Sequence, residues 1–199
     1  MERLRKIDPQ DWDPKLKAMV RPEERTDLEN GLMRFYAHRP ELALGLSAFM
    51  GSLKKNRQLP ERLMELMRLR IAFHNQCRSC MAIRYRDAID DGLTEDLVCS
   101  LQTPYEAEGL TERERVAIRF GELLASNHLA IGDELYEQLN RHFTEGEIVE
   151  LGLYASACVG LGRWAATLHM VEELPSAFQE TEVGTGAITP WGNEAVVVR

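Results

Sequence analysis

Glu65 to Arg84 reads ELMRLRIAFHNQCRSCMAIR, and the fold and the chemistry of the chain are both decided in it. Its first half is apolar on most sides: Leu63 and Met64 lead in, then Leu66, Met67, Leu69, Ile71, Ala72 and Phe73 follow. A helix with that little polar surface belongs in the centre of a bundle. Its second half carries a close cysteine pair, Cys77 and Cys80, twelve residues beyond a carboxylate, Glu65. Residues three apart share a helix face, so the two sulfurs can meet. Arg78, Arg84 and Arg86 place positive charge nearby, which favours thiolate over thiol. Two thiols that meet in a polar, cationic setting make a redox pair. Asn75-Gln76 is the expected break before them, which would set Cys77 at a helix N-terminus, where the macrodipole also favours a thiolate.

Other readings of these residues are open. Half of a zinc site would need a second Cys/His cluster, but the histidines (His38, His74, His128, His142, His169) are scattered. No metal and no cofactor is expected. The pair could also be incidental buried cysteines, as Cys99 and Cys158 are expected to be, since free Cys packs as a small hydrophobe. Glu65 could be a surface carboxylate paired with Arg68 at i+3; on so apolar a helix, it must otherwise find a partner inside.

Working outward, almost every segment reads as helix. One runs from Pro22 to Ala37 with Thr26-x-x-Glu29 as a capping box, and one from Pro40 to Leu53. The apolar helix follows from Pro60, and the cysteine helix then runs to Gly92, a left-handed stop. Thr94 caps a short helix to Leu101 and Thr111-x-x-Glu114 one to Ser126. Asp133 to His142 is short, and Thr144-x-x-Glu147 caps the last long helix, to Glu172. Only Ala195 to Val198 has a strand's character. The fold class is all-α, a compact multi-helix bundle. We expect one domain over 1–199: N-terminal helices 1–58, a core 59–172 and an extended tail 173–199. A shift of 85 places lays Ile148-Val149-Glu150-Leu151 over Leu63-Met64-Glu65-Leu66, and Gly162 and Ala165 over Cys77 and Cys80. The two long helices would then pair, and His169 would face the same cavity.

The net charge of −8, with no basic block, argues against nucleic acid and anionic membrane surfaces as partners. Hydrophobic residues make up 44% of the chain, enough for a core. The opening MERLRKIDPQDW has no apolar run of a secretory signal, and Leu151 to Gly162 is too short to span a bilayer. A cytoplasmic location is expected, where cysteines are not a structural disulfide framework.

Glu65 with Cys77-x-x-Cys80, preceded by Pro40-Glu41-Leu42 and Leu59-Pro60-Glu61-Arg62, resembles the carboxymuconolactone decarboxylase and alkylhydroperoxidase D-like family. The resemblance runs from Phe35 to His169 and is densest from Leu59 to Asp91. It implies a helical bundle, a typically trimeric or hexameric homo-oligomer, and a redox site. In that site Cys80 is the peroxide-attacking thiol, and Cys77 its resolving partner and proton donor. Glu65 and a histidine four residues after the second cysteine would form a proton relay. That histidine is Arg84 here. Guanidinium cannot act as a base, but it can stabilise a Cys80 thiolate. His74, three residues before Cys77, or His169 would be the substitute base.

The activity so implied is reduction of small organic hydroperoxides, an antioxidant, peroxiredoxin-type activity. An external dithiol or a disulfide reductase would supply the electrons. Met64, Met67, Phe73 and Met81 would give the site an apolar mouth. The same fold also supports a cofactor-free decarboxylase acting on a lactone acid, and a redox sensor that does not turn over. The tail has no core of its own, so it is expected to lie on a neighbouring subunit.

Overall fold

A computed structural model describes residues 3–179 and 187–199. In chain order the helices are α1 (Pro14–Val20), α2 (Asp27–Asn30), α3 (Met33–Tyr36), α4 (Pro40–Lys55), α5 (Glu61–Asn75) and α6 (Arg78–Ala82). A short strand β1 (Ile83–Tyr85) precedes α7 (Arg86–Asp90), α8 (Glu95–Ser100), α9 (Glu112–Ser126), α10 (Asp133–His142), α11 (Glu145–Leu168) and α12 (Ser176–Gln179), and β2 (Val196–Val198) lies near the end. The class is all-α.

The bundle is built around α5. Ten of its residues are buried, among them Leu63, Leu66, Leu69 and Ile71. Burial of each such side chain contributes about 1.5–3 kcal/mol. Its apolar surface is shared between two partners, α9 and α11. The approach of α9 depends on Gly121, where a Cβ would stand 2.6 Å from Met67 Cγ. Pairing of α5 with α11 agrees with the repeated pattern in their sequences.

Three capping boxes form as the sequence predicts: Thr26 with Glu29, Thr111 with Glu114 and Thr144 with Glu147. Each satisfies helix N–H groups that would otherwise lack partners. The predicted break also forms: Gln76 is left-handed (φ 50°) and ends α5, and Cys77 is the N-cap of α6.

Four element expectations are corrected. Pro22 to Ala37 is not one helix but a 3-10 turn followed by α2 and α3, and the Thr26 cap starts its helix within that span. The cysteine helix stops at Ala82; the β-favouring Ile83 and Tyr85 are extended before α7. Helix α11 ends at Leu168, with His169 left-handed as its C-cap, rather than at Glu172. The described part of the tail packs on its own chain. β2 pairs in parallel with β1 (Ile83 with Val196, Arg84 with Val197, Tyr85 with Val198), and Trp191 is buried beside Phe73, ring centroids 4.8 Å apart. Short-range patterning could not show that β1 would offer a strand edge to the tail. The part of the tail at 180–186 lies outside the described residues.

Candidate functional site

Cys77 and Cys80 are joined by a disulfide that closes the first turn of α6. Their exposure differs. Cys77 is fully buried, whereas Cys80 is half-buried. Cys80 packs with Ala72, Met81, Leu174 and Phe178, and α11 backs it: a Cβ added to Gly162 would lie 4.0 Å from Cys80 Sγ. That added Cβ would also stand 2.6 Å from Asn75 Nδ2, the amide that bonds the carbonyl of Cys158 on α11.

Glu65 faces the interior, one α5 turn from a partner that is equally buried. Arg68 Nε and Nη2 donate to its two carboxylate oxygens at 2.6 and 2.7 Å. Both side chains are under one tenth exposed, so this i+3 pair is not the surface pair that spacing alone allows. The same guanidinium donates to the carbonyl of Cys80 at 2.6 Å and to that of Ile83 at 3.1 Å. Burial works to lower the pKa of Arg68, but the Glu65 carboxylate more than offsets it, and the guanidinium is held protonated. Arg68 thus joins the carboxylate to the cysteine turn.

Three further side chains complete this interior cluster. The Tyr85 ring faces the Arg68 guanidinium (5.2 Å to its centroid), and the Tyr154 ring faces Arg57 (4.9 Å). Burial raises the pKa of both phenols. It also pushes the Cys158 thiol, on α11, up to about 12, so that sulfur is held as a thiol near neutral pH. The i+3 spacing of Arg68 from Glu65 was visible in the sequence. Nothing local marked Tyr85, Tyr154 or Cys158: β1 sets Tyr85 against Arg68, and α11 brings Tyr154 and Cys158 from far along the chain.

The remaining expected site residues lie elsewhere. Arg84 is 1% exposed and donates to the carbonyls of Met81, Ile83 and Pro190 and to the Glu95 carboxylate. It anchors the tail and α8; among the described residues its hydrogen bonds go to these groups and not to Cys80. His74 Nε2 donates to the Glu122 carboxylate on α9 at 3.1 Å, on another face of α5. His169 caps α11 and is exposed. Among the described residues neither histidine is hydrogen-bonded to either cysteine. Of the expected mouth, Met81 and Phe73 belong to the same apolar cluster as Cys80, but Met64 and Met67 belong to the core between α5, α9 and α11. Cys158 is half-buried, and Cys99 is exposed because Val98 takes the inward position on α8.

A helical bundle that closes a Cys-x-x-Cys turn against a buried carboxylate defines an α-helical protein with a dithiol site. Residues 40–123 match the model of the carboxymuconolactone decarboxylase family. The matched segment runs from α4 into α9 and holds Glu65, Arg68 and both cysteines.

An uncharacterised Mycobacterium tuberculosis protein is 28% identical over 117 residues, 57% of this chain and 40% of its own. The uncharacterised Bacillus subtilis protein YdfG is 29% identical over 92 residues, 45% of this chain and 61% of its own. The matches thus span less than two thirds of these relatives. Among solved structures, the debrominase Bmp8 shares the fold. A cysteine-to-alanine variant bound to 2,3,4-tribromopyrrole gives a TM-score of 0.66 at 15% identity, over 84% of this chain and 91% of that one. The apo form gives 0.64 at 16% identity, over 82% and 88%. Among the described residues no helix is long and apolar enough to cross a membrane.

Proposed function

We propose that the chain is a thiol-dependent reductase of small organic hydroperoxides that uses Cys77 and Cys80. The observation that carries this reading is the closed Cys77–Cys80 bond in which Cys80 is the less buried residue. In the reduced form the Cys80 thiolate attacks the terminal oxygen of the hydroperoxide. The O–O bond breaks, Cys80 becomes a sulfenic acid, and the alkoxide takes the Cys77 proton and leaves as an alcohol. The Cys77 thiolate then displaces hydroxide from the sulfenic acid, which takes up a solvent proton to leave water, and the disulfide closes. An external dithiol restores the pair by exchange, attacking the half-buried Cys80 and releasing Cys77. Phe73 and Met81, in the same apolar cluster as Cys80, suit an apolar organic group.

The working form under this reading is a cytoplasmic homo-oligomer. Leu42 and Phe49 on α4 and Val149, Leu153 and Trp164 on α11 are exposed apolar side chains that support association.

Consumption of cumene hydroperoxide with excess dithiothreitol, followed for wild type, Cys80→Ser and Cys77→Ser, tests the reading. Wild type should turn over and Cys80→Ser should lose the reaction, while Cys77→Ser, reduced beforehand and freed of dithiothreitol, should stop after one equivalent. Equal rates for all three overturn it.

A further inference from the structure

We infer that Arg68 is the positioning residue of the redox turn: one buried guanidinium ties the Glu65 carboxylate to the carbonyls of Cys80 and Ile83 and so fixes where the Cys80 sulfur stands against Cys77. The inference rests on the dithiol reading above and assigns that site a residue it does not otherwise use. The physical need is local. Helix α6 has only five residues, and the last four carbonyls of any helix lack intrahelical partners. Here two arginines serve the exit of that turn: Arg68 takes the carbonyls of Cys80 and Ile83, and Arg84 those of Met81 and Ile83.

Only Arg68 also reaches back to α5. Its flat fork spans Glu65 on one edge and the cysteine turn on the other, with the Tyr85 ring over its face. A lysine could keep the charge but not this geometry. The backbone N–H of Tyr85 also points to Glu65 Oε1, at 3.4 Å. Both carboxylate oxygens therefore face N–H donors, and Glu65 acts on the sulfurs through Arg68.

Removing either partner alone leaves a buried charge and endangers folding, whereas replacing both with apolar residues of similar size is often tolerated. The decisive variant is therefore the double change Glu65→Leu with Arg68→Met, with Arg68→Lys beside it. Folding is checked by circular dichroism and a cooperative melt. The readout is the thiol–disulfide equilibrium with dithiothreitol, in which the reagent's two thiols are oxidised to its cyclic disulfide and Cys77 and Cys80 become thiols.

With the turn no longer held, the thiols lose effective concentration, and the equilibrium should move about tenfold toward the dithiol form in the double variant. Arg68→Lys should shift it about threefold in the same direction. A constant within about twofold of wild type in either folded variant overturns the inference. No peroxide enters this measurement. A wild type that equilibrates with dithiothreitol but consumes no hydroperoxide sinks the reductase reading alone.

Discussion

Two of the carboxylate–arginine clusters on helix α5 differ in what surrounds them. On one face Glu65 and Arg68 lie inside the bundle, bonded to each other and to the cysteine turn. On another face Arg70 and His74 reach toward the rim, where both bond Glu122 of α9, joined by the hydroxyl of Tyr105. The residue types are nearly the same. In the inner cluster the charges are shut away from water, so each depends on its partner; at the rim, where the side chains of Arg70, Glu122 and His74 are 12%, 15% and 21% exposed, solvent can replace part of what is lost. Identical chemistry therefore carries unequal weight, and burial decides which cluster can position a sulfur.

The largest expected effect separates the two directly. Glu65→Ala, which strands Arg68 inside, should cost about 3–5 kcal/mol in urea unfolding, against about 1 kcal/mol for Glu122→Gln at the rim. Equal costs would erase the distinction. Next comes Arg84, buried like Arg68 but turned to the tail. Arg84→Ala should cost about 3 kcal/mol and expose the tail to limited proteolysis, and should move the Cys77–Cys80 equilibrium less than the paired Glu65→Leu and Arg68→Met change does. A shift as large as that of the pair would give Arg84 an equal share in holding the turn.

Gly162→Ala probes the wall behind Cys80. The added Cβ would push Asn75, which bonds Cys158 and accepts from Arg163, at about 1–3 kcal/mol in the same unfolding assay. The smallest effect concerns pH. Burial works to raise the pKa of Glu122, but hydrogen bonds from His74, Arg70 and Tyr105 prevail and bring it from 4.5 to about 2. A depressed carboxyl stabilises the fold above its unfolded pKa and stops doing so as pH falls. The acid arm of wild-type stability between pH 4.5 and about 2 should therefore be shallower in Glu122→Gln; identical arms would remove the rim cluster from that loss.

Much of the bundle was legible in order. The three Thr-x-x-Glu boxes start their helices, Asp133–His142 forms as read, and Gln76 breaks the chain where Cys77 needs an N-cap. These features depend on neighbours within a few residues, where spacing and side-chain chemistry suffice. Two expected residues turn elsewhere. Arg84 stands where the resemblance places a relay histidine, and His74 stands three residues before Cys77. Each instead turns to an element far along the chain, Pro190 for Arg84 and Glu122 for His74.

The sequence alone determined a helical bundle with a central apolar helix and two cysteines placed to meet on the turn that follows it, because periodicity and caps are local. Tertiary structure decided which cations those sulfurs see. A helix offers several faces, and only the packing of α9, α11 and the tail settles which one holds Glu65 and Arg68 away from water.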